Sequence, residues 1–401
     1  MKIQNNKTKT GTTVIATLMI GLILLSSTTV LPNISAEQNN RGQNGYTQFT
    51  SPFHLQAPTL ASDEKQKIID TAMNLKAIKA WSDQWQFATM NFKGEKNSSG
   101  INWNEAVVVL HLPPNSSAPV KCDIGWVAGV RIDISTDKVI GAWYPTLESH
   151  QCHDITLDHS HDKKHDPPGY STATQNDVNS TTSYYGNSAV LQTPSYSSSI
   201  FSDMNQLVAQ ILNARWNVSC YSDSECFTQV GWLITVPSIS SGGISSNSAD
   251  IVYVDESTTG NKVPINTNLG WQNGGTEDVS LTCGSSGDVA ISITYGTSTY
   301  YANTHISCST TQYNDVLNNS IFFENHNTSS YTSWPSDITG TVDATSAEEY
   351  NSGGTGSNWS TSHNVDLDCS GTVTQSSVIT GDLTSGNTAT WQYLSNEPYA
   401  C

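Results

Sequence analysis

A chain of 401 residues is long enough for two or three domains of about 100–200 residues each, so a sizeable core can be buried. Only 13% of its residues are charged, and Ser, Thr, Asn and Tyr fill the polar positions, which argues against an all-helical fold. Seventeen Lys and Arg against 35 Asp and Glu give a formal charge of −18, which excludes recognition of nucleic acid or anionic lipid through a basic face and points to an extracellular or acidic setting.

Residues 1–36 have the three-part form of a secretory signal. Lys2, Lys7 and Lys9 precede an apolar stretch from Val14 to Leu25, and small residues end at Ser35-Ala36. The stretch falls short of the roughly 20 residues that span a bilayer, so membrane contact is expected only through this segment, and the protein is expected to be secreted. Cleavage after Ala36 removes three lysines and no acid, which takes −18 to −21. All eight cysteines lie beyond the signal, as expected of a disulfide-bonded exported chain, and neighbours in sequence give the simplest pairing: 122–152, 220–226, 283–308 and 369–401. Seven Asn-x-Ser/Thr sequons after the signal are compatible with a glycoprotein.

Residues 37–58 are polar and read as a flexible leader. A helix is expected from Ser62, because Ile68, Ile69, Ala72, Met73 and Ala80 recur at helical spacing behind Ser62-Asp63-Glu64. Strands at Ala106–Leu112, Trp126–Ile134 and Val139–Trp143 complete a small α+β unit over 59–147. Residues 148–197 open His/Asp-rich and continue Ser/Thr-rich without apolar periodicity, the pattern of a linker. A second helix is expected over Ser198–Ala214, where Ile200, Met204, Leu207, Val208, Ile211 and Leu212 fall on one helical face. Ten short strands follow, from Phe227–Val236 to Thr388–Tyr393, so residues 198–401 predict a helix plus an antiparallel β-sandwich, and the chain as a whole is mainly β.

The α+β unit resembles the PepSY family, often found in propeptides of secreted peptidases. Val130-Arg-Ile-Asp-Ile-Ser-Thr-Asp-Lys-Val-Ile-Gly141 carries the resemblance, preceded by the Ala106–Leu112 strand. It implies an N-terminal inhibitory domain and a zymogen.

Five histidines, His150, His153, His159, His161 and His165, share the linker with Asp154, Asp158, Asp162 and Asp166, and this mixture suits Cu or Zn. The spacings match no rigid metal motif, so a solvated, pH-sensitive hinge remains the alternative. The chain offers no G-x-S-x-G nucleophile elbow, HExxH, P-loop or GxGxxG.

Alternation in Cys226-Phe-Thr-Gln-Val-Gly-Trp-Leu-Ile234 sets Phe227, Gln229 and Gly231 against Thr228, Val230, Trp232 and Ile234, so Gln229 lies opposite the more apolar face. In Asn319-Ser-Ile-Phe-Phe-Glu-Asn325, Glu324 shares its face with Phe322. These segments resemble the eqolisin-type glutamic peptidases, concanavalin-like (jelly-roll-like) sandwich enzymes that act in acid with a Gln and Glu pair. Phe227-Thr-Gln-Val-Gly231 and Asn318-Asn-Ser-Ile-Phe-Phe-Glu324 carry the resemblance, in the family's order and 95 residues apart. The chain departs from the family at Asn319-Ser320-Ile321, where Ala-Glu-Trp is favoured, and at Arg215-Trp216-Asn217.

The resemblance implies a secreted endopeptidase acting on polypeptide without a cofactor. Gln229 and Glu324 would be its catalytic residues, with Phe322 raising the carboxyl pKa by desolvation. A monomer is expected. Glu348 and Glu349 read as turn residues outside the pair. The rival reading is a non-catalytic module that binds carbohydrate or cell-surface polymer, with Trp271, Tyr300, Tyr301 and Trp334 as exposed stacking platforms.

Overall fold

The computed structural model describes residues 55–112, 126–143, 170–175, 185–200, 207–216, 218, 226–235, 248–256, 262–284, 287–308, 319–326, 338–339, 341–351, 354–359, 362–364, 377–384 and 388–395. The signal segment, the leader up to residue 54 and all five linker histidines lie outside the described residues.

Two helices, α1 (Ser62–Met73) and α2 (Lys76–Trp81), precede β1 (Gln86–Asn97), β2 (Gly100–Leu112), β3 (Trp126–Asp133) and β4 (Lys138–Trp143). Next come β5 (Tyr170–Gln175), β6 (Gly186–Gln192), β7 (Ser195–Tyr196), β8 (Leu207–Trp216), β9 (Cys226–Thr235), β10 (Ser248–Glu256) and β11 (Lys262–Asn266). The chain continues through β12 (Thr276–Cys283), β13 (Asp288–Tyr295), β14 (Ser298–Ser307), β15 (Asn319–His326), β16 (Ile338–Thr339) and β17 (Thr341–Tyr350). It ends with β18 (Gly356–Asn358), β19 (Ser362–Asn364), β20 (Ser377–Thr384) and β21 (Thr388–Ser395). Among the described residues no helix is long and apolar enough to cross a membrane.

A 12-stranded sheet runs β20-β21-β17-β6-β12-β13-β14-β1-β2-β3-β4, with β18 paired to β17, and a 7-stranded sheet runs β11-β10-β9-β8-β15-β5-β19. The two face each other across a core in which Leu212, Val230, Trp232, Ile234, Tyr253 and Ile321 meet Leu191, Val279, Leu281, Ile291 and Ile293. The mainly β, antiparallel sandwich architecture is therefore the one expected. Asn187 on β6 crosses between the layers and donates to the Asn213 carbonyl on β8 at 2.8 Å.

The segment expected as a second helix contains β8 instead. Both faces of this strand are buried, Val208, Leu212 and Ala214 on one side and Ala209 and Ile211 on the other, so it is apolar nearly throughout. Apolar residues then fall at helical spacing by coincidence. The stretch expected as linker contributes β5, β6 and β7. Strand β6 reads as polar because its Asn187 and Ser188 are buried and hydrogen-bonded, Ser188 with the Tyr350 hydroxyl at 2.6 Å.

At the N terminus, α1 and α2 lie on the outer face of the large sheet. Ile68, Ala72 and Ile78 pack with Val108, Leu110, Ala128, Val130 and Ile132 in a second core, which also takes in Ala290 of β13 and Tyr301 of β14. Cys283 and Cys308 form a disulfide, as expected. The other six cysteines lie outside the described residues or, for Cys226, on a strand whose side chain is not described.

Candidate active site

Strand β9 pairs with β8 on one side and β10 on the other. Val230, Trp232 and Ile234 enter the inter-sheet core, so Gln229, Gly231 and Leu233 belong to the outer face of the smaller sheet. Gly231 is required by close approach, since a Cβ there would collide with the backbone carbonyl of Gln210 on β8. Gln229 is 1% exposed, and neither its amide nitrogen nor its amide oxygen has a hydrogen-bond partner. Leaving a buried amide unsatisfied costs about 1–3 kcal/mol per group, so the position is held against a local penalty.

The register fixes where residue 324 lies. Gln229 sits opposite Asn213, which sits opposite Ser320 of β15, while Glu324 sits opposite Ala209, four residues further along β8. Positions 229, 213, 320 and 324 therefore share one parity of the ladder. In a flat sheet the offset is about 14 Å along the strands and about 10 Å across two strand spacings. Gly231, Ile211 and Phe322 form the row that crosses the middle of this diagonal. The diagonal is about 17 Å in a flat sheet, more than side chains standing normal to it span to one carbonyl, so joint action on one group needs curvature of this face over that row.

Sequence reasoning missed a carboxylate on the same face. Asp250 of β10 sits opposite Leu233 and accepts from Asn266 Nδ2 at 2.6 Å, while its second oxygen is buried without a partner. Burial raises its pKa, against the opposing pull of hydrogen bonds from Ser248 and Asn266. The signal was present in Asp250-Ile-Val-Tyr-Val254, whose alternation sets Asp250 with Val252 and opposite Tyr253.

Other candidates are placed elsewhere. Tyr300 and Tyr301 are buried in the large sheet and cannot serve as stacking platforms. Trp271 is half-buried and packs edge-on against Trp232, with ring centroids 5.9 Å apart. Trp334 lies outside the described residues. Glu348 and Glu349 are strand residues of β17 rather than turn residues; Glu349 is buried, and Glu348 accepts from the Tyr350 hydroxyl at 3.0 Å. No group of three or more His, Cys, Asp and Glu suited to a metal occurs among the described residues.

No family model matches the chain, the PepSY-like region included, and no curated protein matches it. Among solved structures, scytalido-glutamic peptidase with a peptide-based transition-state analogue aligns over 57% of this chain and 98% of its own, with 13% identity and a TM-score of 0.34. SCP-B, a member of the eqolisin family of peptidases in complex with the tripeptide Ala-Ile-His, aligns over 56% and 97%, with 12% identity and a TM-score of 0.33. At these values the likeness carries no argument about the site, which rests on the residues themselves.

Proposed function

We propose that this chain is a secreted, acid-acting endopeptidase of glutamic type, made as a precursor and acting on polypeptide substrates. The observation that carries the reading is Gln229. Its amide is buried and unpartnered, on the sheet face opposite the core and at the same ladder parity as position 324. Such an amide is costly to folding and useful to a reaction that develops an oxyanion beside it.

In the proposed reaction, ionised Glu324 takes a proton from a water attacking the scissile carbonyl, while the Gln229 amide donates to the developing oxyanion. Protonated Glu324 then returns the proton to the leaving amine. The scissile carbonyl would lie over the Gly231–Ile211–Phe322 row, and the step requires the face to curve there so that both side chains reach that one carbonyl and its attacking water.

The test is incubation of the purified secreted protein with an unfolded protein at acidic pH, with mass spectrometry of the fragments and of the chain's own termini. Replacing Glu324→Gln should lower acid proteolysis by about 10²–10⁴, the range for a lost general base. Replacing the exposed Asp63→Asn on α1 should leave it unchanged. Parent-like proteolysis by Glu324→Gln would overturn the assignment and leave the binding-module reading.

A further inference from the structure

Three sets of contacts join residues 55–143 to the rest of the sandwich. The first is a ladder. Strand β1 pairs antiparallel with β14, Phe92 opposite Tyr301, Lys93 opposite Tyr300 and Glu95 opposite Ser298, and the Lys96 amide extends the pairing to the Thr297 carbonyl at 2.8 Å. Without it, β14 would be the open edge of the sheet, with a row of unpaired amides and carbonyls.

The second set lies on the outer face. The Leu55 amide donates to Ser292 Oγ of β13 at 3.0 Å, and Ala290 and Tyr301 complete the apolar cluster under α1. The third lies between the sheets. Asn91 of β1 donates to the Tyr253 hydroxyl of β10 at 2.6 Å, Lys93 donates to the Asn268 carbonyl, and Val107, Val109 and Val127 belong to the inter-sheet core. The unit thus holds β13 and β14 from the edge and from both faces.

These contacts lie away from the candidate site. Tyr253 belongs to the inter-sheet core, whereas Gln229 belongs to the opposite face of that sheet. None of the ties described here reaches the Gly231–Ile211–Phe322 row.

We propose that residues 55–143 are a permanent part of the working sandwich, so that a chain cut between β4 and β5 stays together as two tightly held pieces. The partner for the β14 edge is the protein's own N-terminal unit, bound by strand addition with an apolar clamp on each face. This departs from the dissociating inhibitor that the sequence resemblance implied. It requires no peptidase activity and is tested without measuring any.

The experiment uses the full chain with a site-specific protease recognition sequence placed over 160–168, cut after folding. Gel filtration at acidic and neutral pH, with and without a thiol reductant, reads whether the pieces part. The expected result is co-elution at the position of the uncut protein under all four conditions, with separation only in denaturant. Release of the N-terminal piece while the remainder elutes as a folded monomer would overturn the proposal. So would co-elution that disappears with reductant, since a disulfide and not the ladder would then hold the pieces.

Discussion

Asn91 on β1 donates to the Tyr253 hydroxyl at 2.6 Å and to the Tyr300 hydroxyl at 3.3 Å, so one side chain joins the N-terminal unit to a strand of each sheet. The contact is fully buried, and water cannot replace it when it is lost. Replacing Asn91→Leu keeps the volume and removes the donor. Stability should fall by about 1–2 kcal/mol, the range for a buried hydrogen bond whose partners lose a donor. Tyr253→Phe should cost less, because Asn91 keeps Tyr300. Denaturant midpoints compared at constant slope would check both, and an unchanged Asn91→Leu midpoint would contradict the bridging role.

A second tie runs through the same unit. Arg131 of β3 clasps Glu105 of β2 with two bonds, Nε to Oε1 at 2.5 Å and Nη2 to Oε2 at 2.8 Å. Glu105 is buried, and the hydrogen bond to it raises the Arg131 pKa. Burial lowers the pKa of neighbouring Lys93, so it is a weaker substitute counter-charge. Arg131→Met would leave the Glu105 carboxylate buried without its clasp. Complete burial would make that loss about 3–5 kcal/mol, and the partial exposure of Arg131 reduces the expectation to about 2–3 kcal/mol. The double variant Arg131→Met with Glu105→Leu should recover most of the loss in thermal melts. Failure to recover would show that packing, not charge, sets the effect.

Much of the sandwich was legible because aliphatic residues alternate with Ser and Thr along its strands even where both faces are buried, as in Val279-Ser-Leu-Thr282 and Ile291-Ser-Ile-Thr294. Val279–Thr282, Val289–Tyr295 and Thr299–Ile306 all lie within β12, β13 and β14. Alternation fails where both faces carry residues of the same kind. Strand β8 then imitates a helix, and β6 imitates a loop because its buried positions carry Asn and Ser, bonded to the Asn213 carbonyl and the Tyr350 hydroxyl. Strand β1 escaped notice because bulges between Phe87 and Thr89 and between Lys93 and Gly94 break its period. At the site, the face of Gln229 was readable from Val230-Gly-Trp-Leu-Ile234. Its four-residue offset from position 324 was not, because register depends on β8, which the sequence disguises.

Glu277 on β12 should make the protein less stable as pH rises. It is wholly buried beside Leu191 and Tyr295, neither carboxyl oxygen has a partner, and burial, with a smaller contribution from Asp278, holds its pKa well above the ordinary value. Below about pH 4.3, the ordinary value for Glu, the group is protonated in both folded and unfolded chains and contributes no pH dependence. Above it the unfolded chain ionises while the folded one keeps its proton, so stability falls until the raised folded pKa is passed. Glu277→Gln should flatten this slope, melting higher than the parent at pH 7 but not at pH 4. Parallel melting curves for parent and variant across that window would refute the account.

Gln229 offers the sharpest separation of folding from chemistry. An unpartnered buried amide is a liability to the fold, so Gln229→Leu, close in volume and free of polar atoms, should stabilise the protein by about 1–3 kcal/mol. If the amide donates to the oxyanion, the same change should lower acid proteolysis by about 10²–10³. Stability and activity would then move in opposite directions, as expected of a group kept for function at a cost to folding. If the residue has no part in the reaction, the same change would still stabilise the protein, but activity would then be kept rather than lost. Thermal melts and fragment yields on the same two preparations decide between them. A stabilised Gln229→Leu protein with parent-like proteolysis would remove Gln229 from the reaction and leave its unsatisfied amide without a functional explanation.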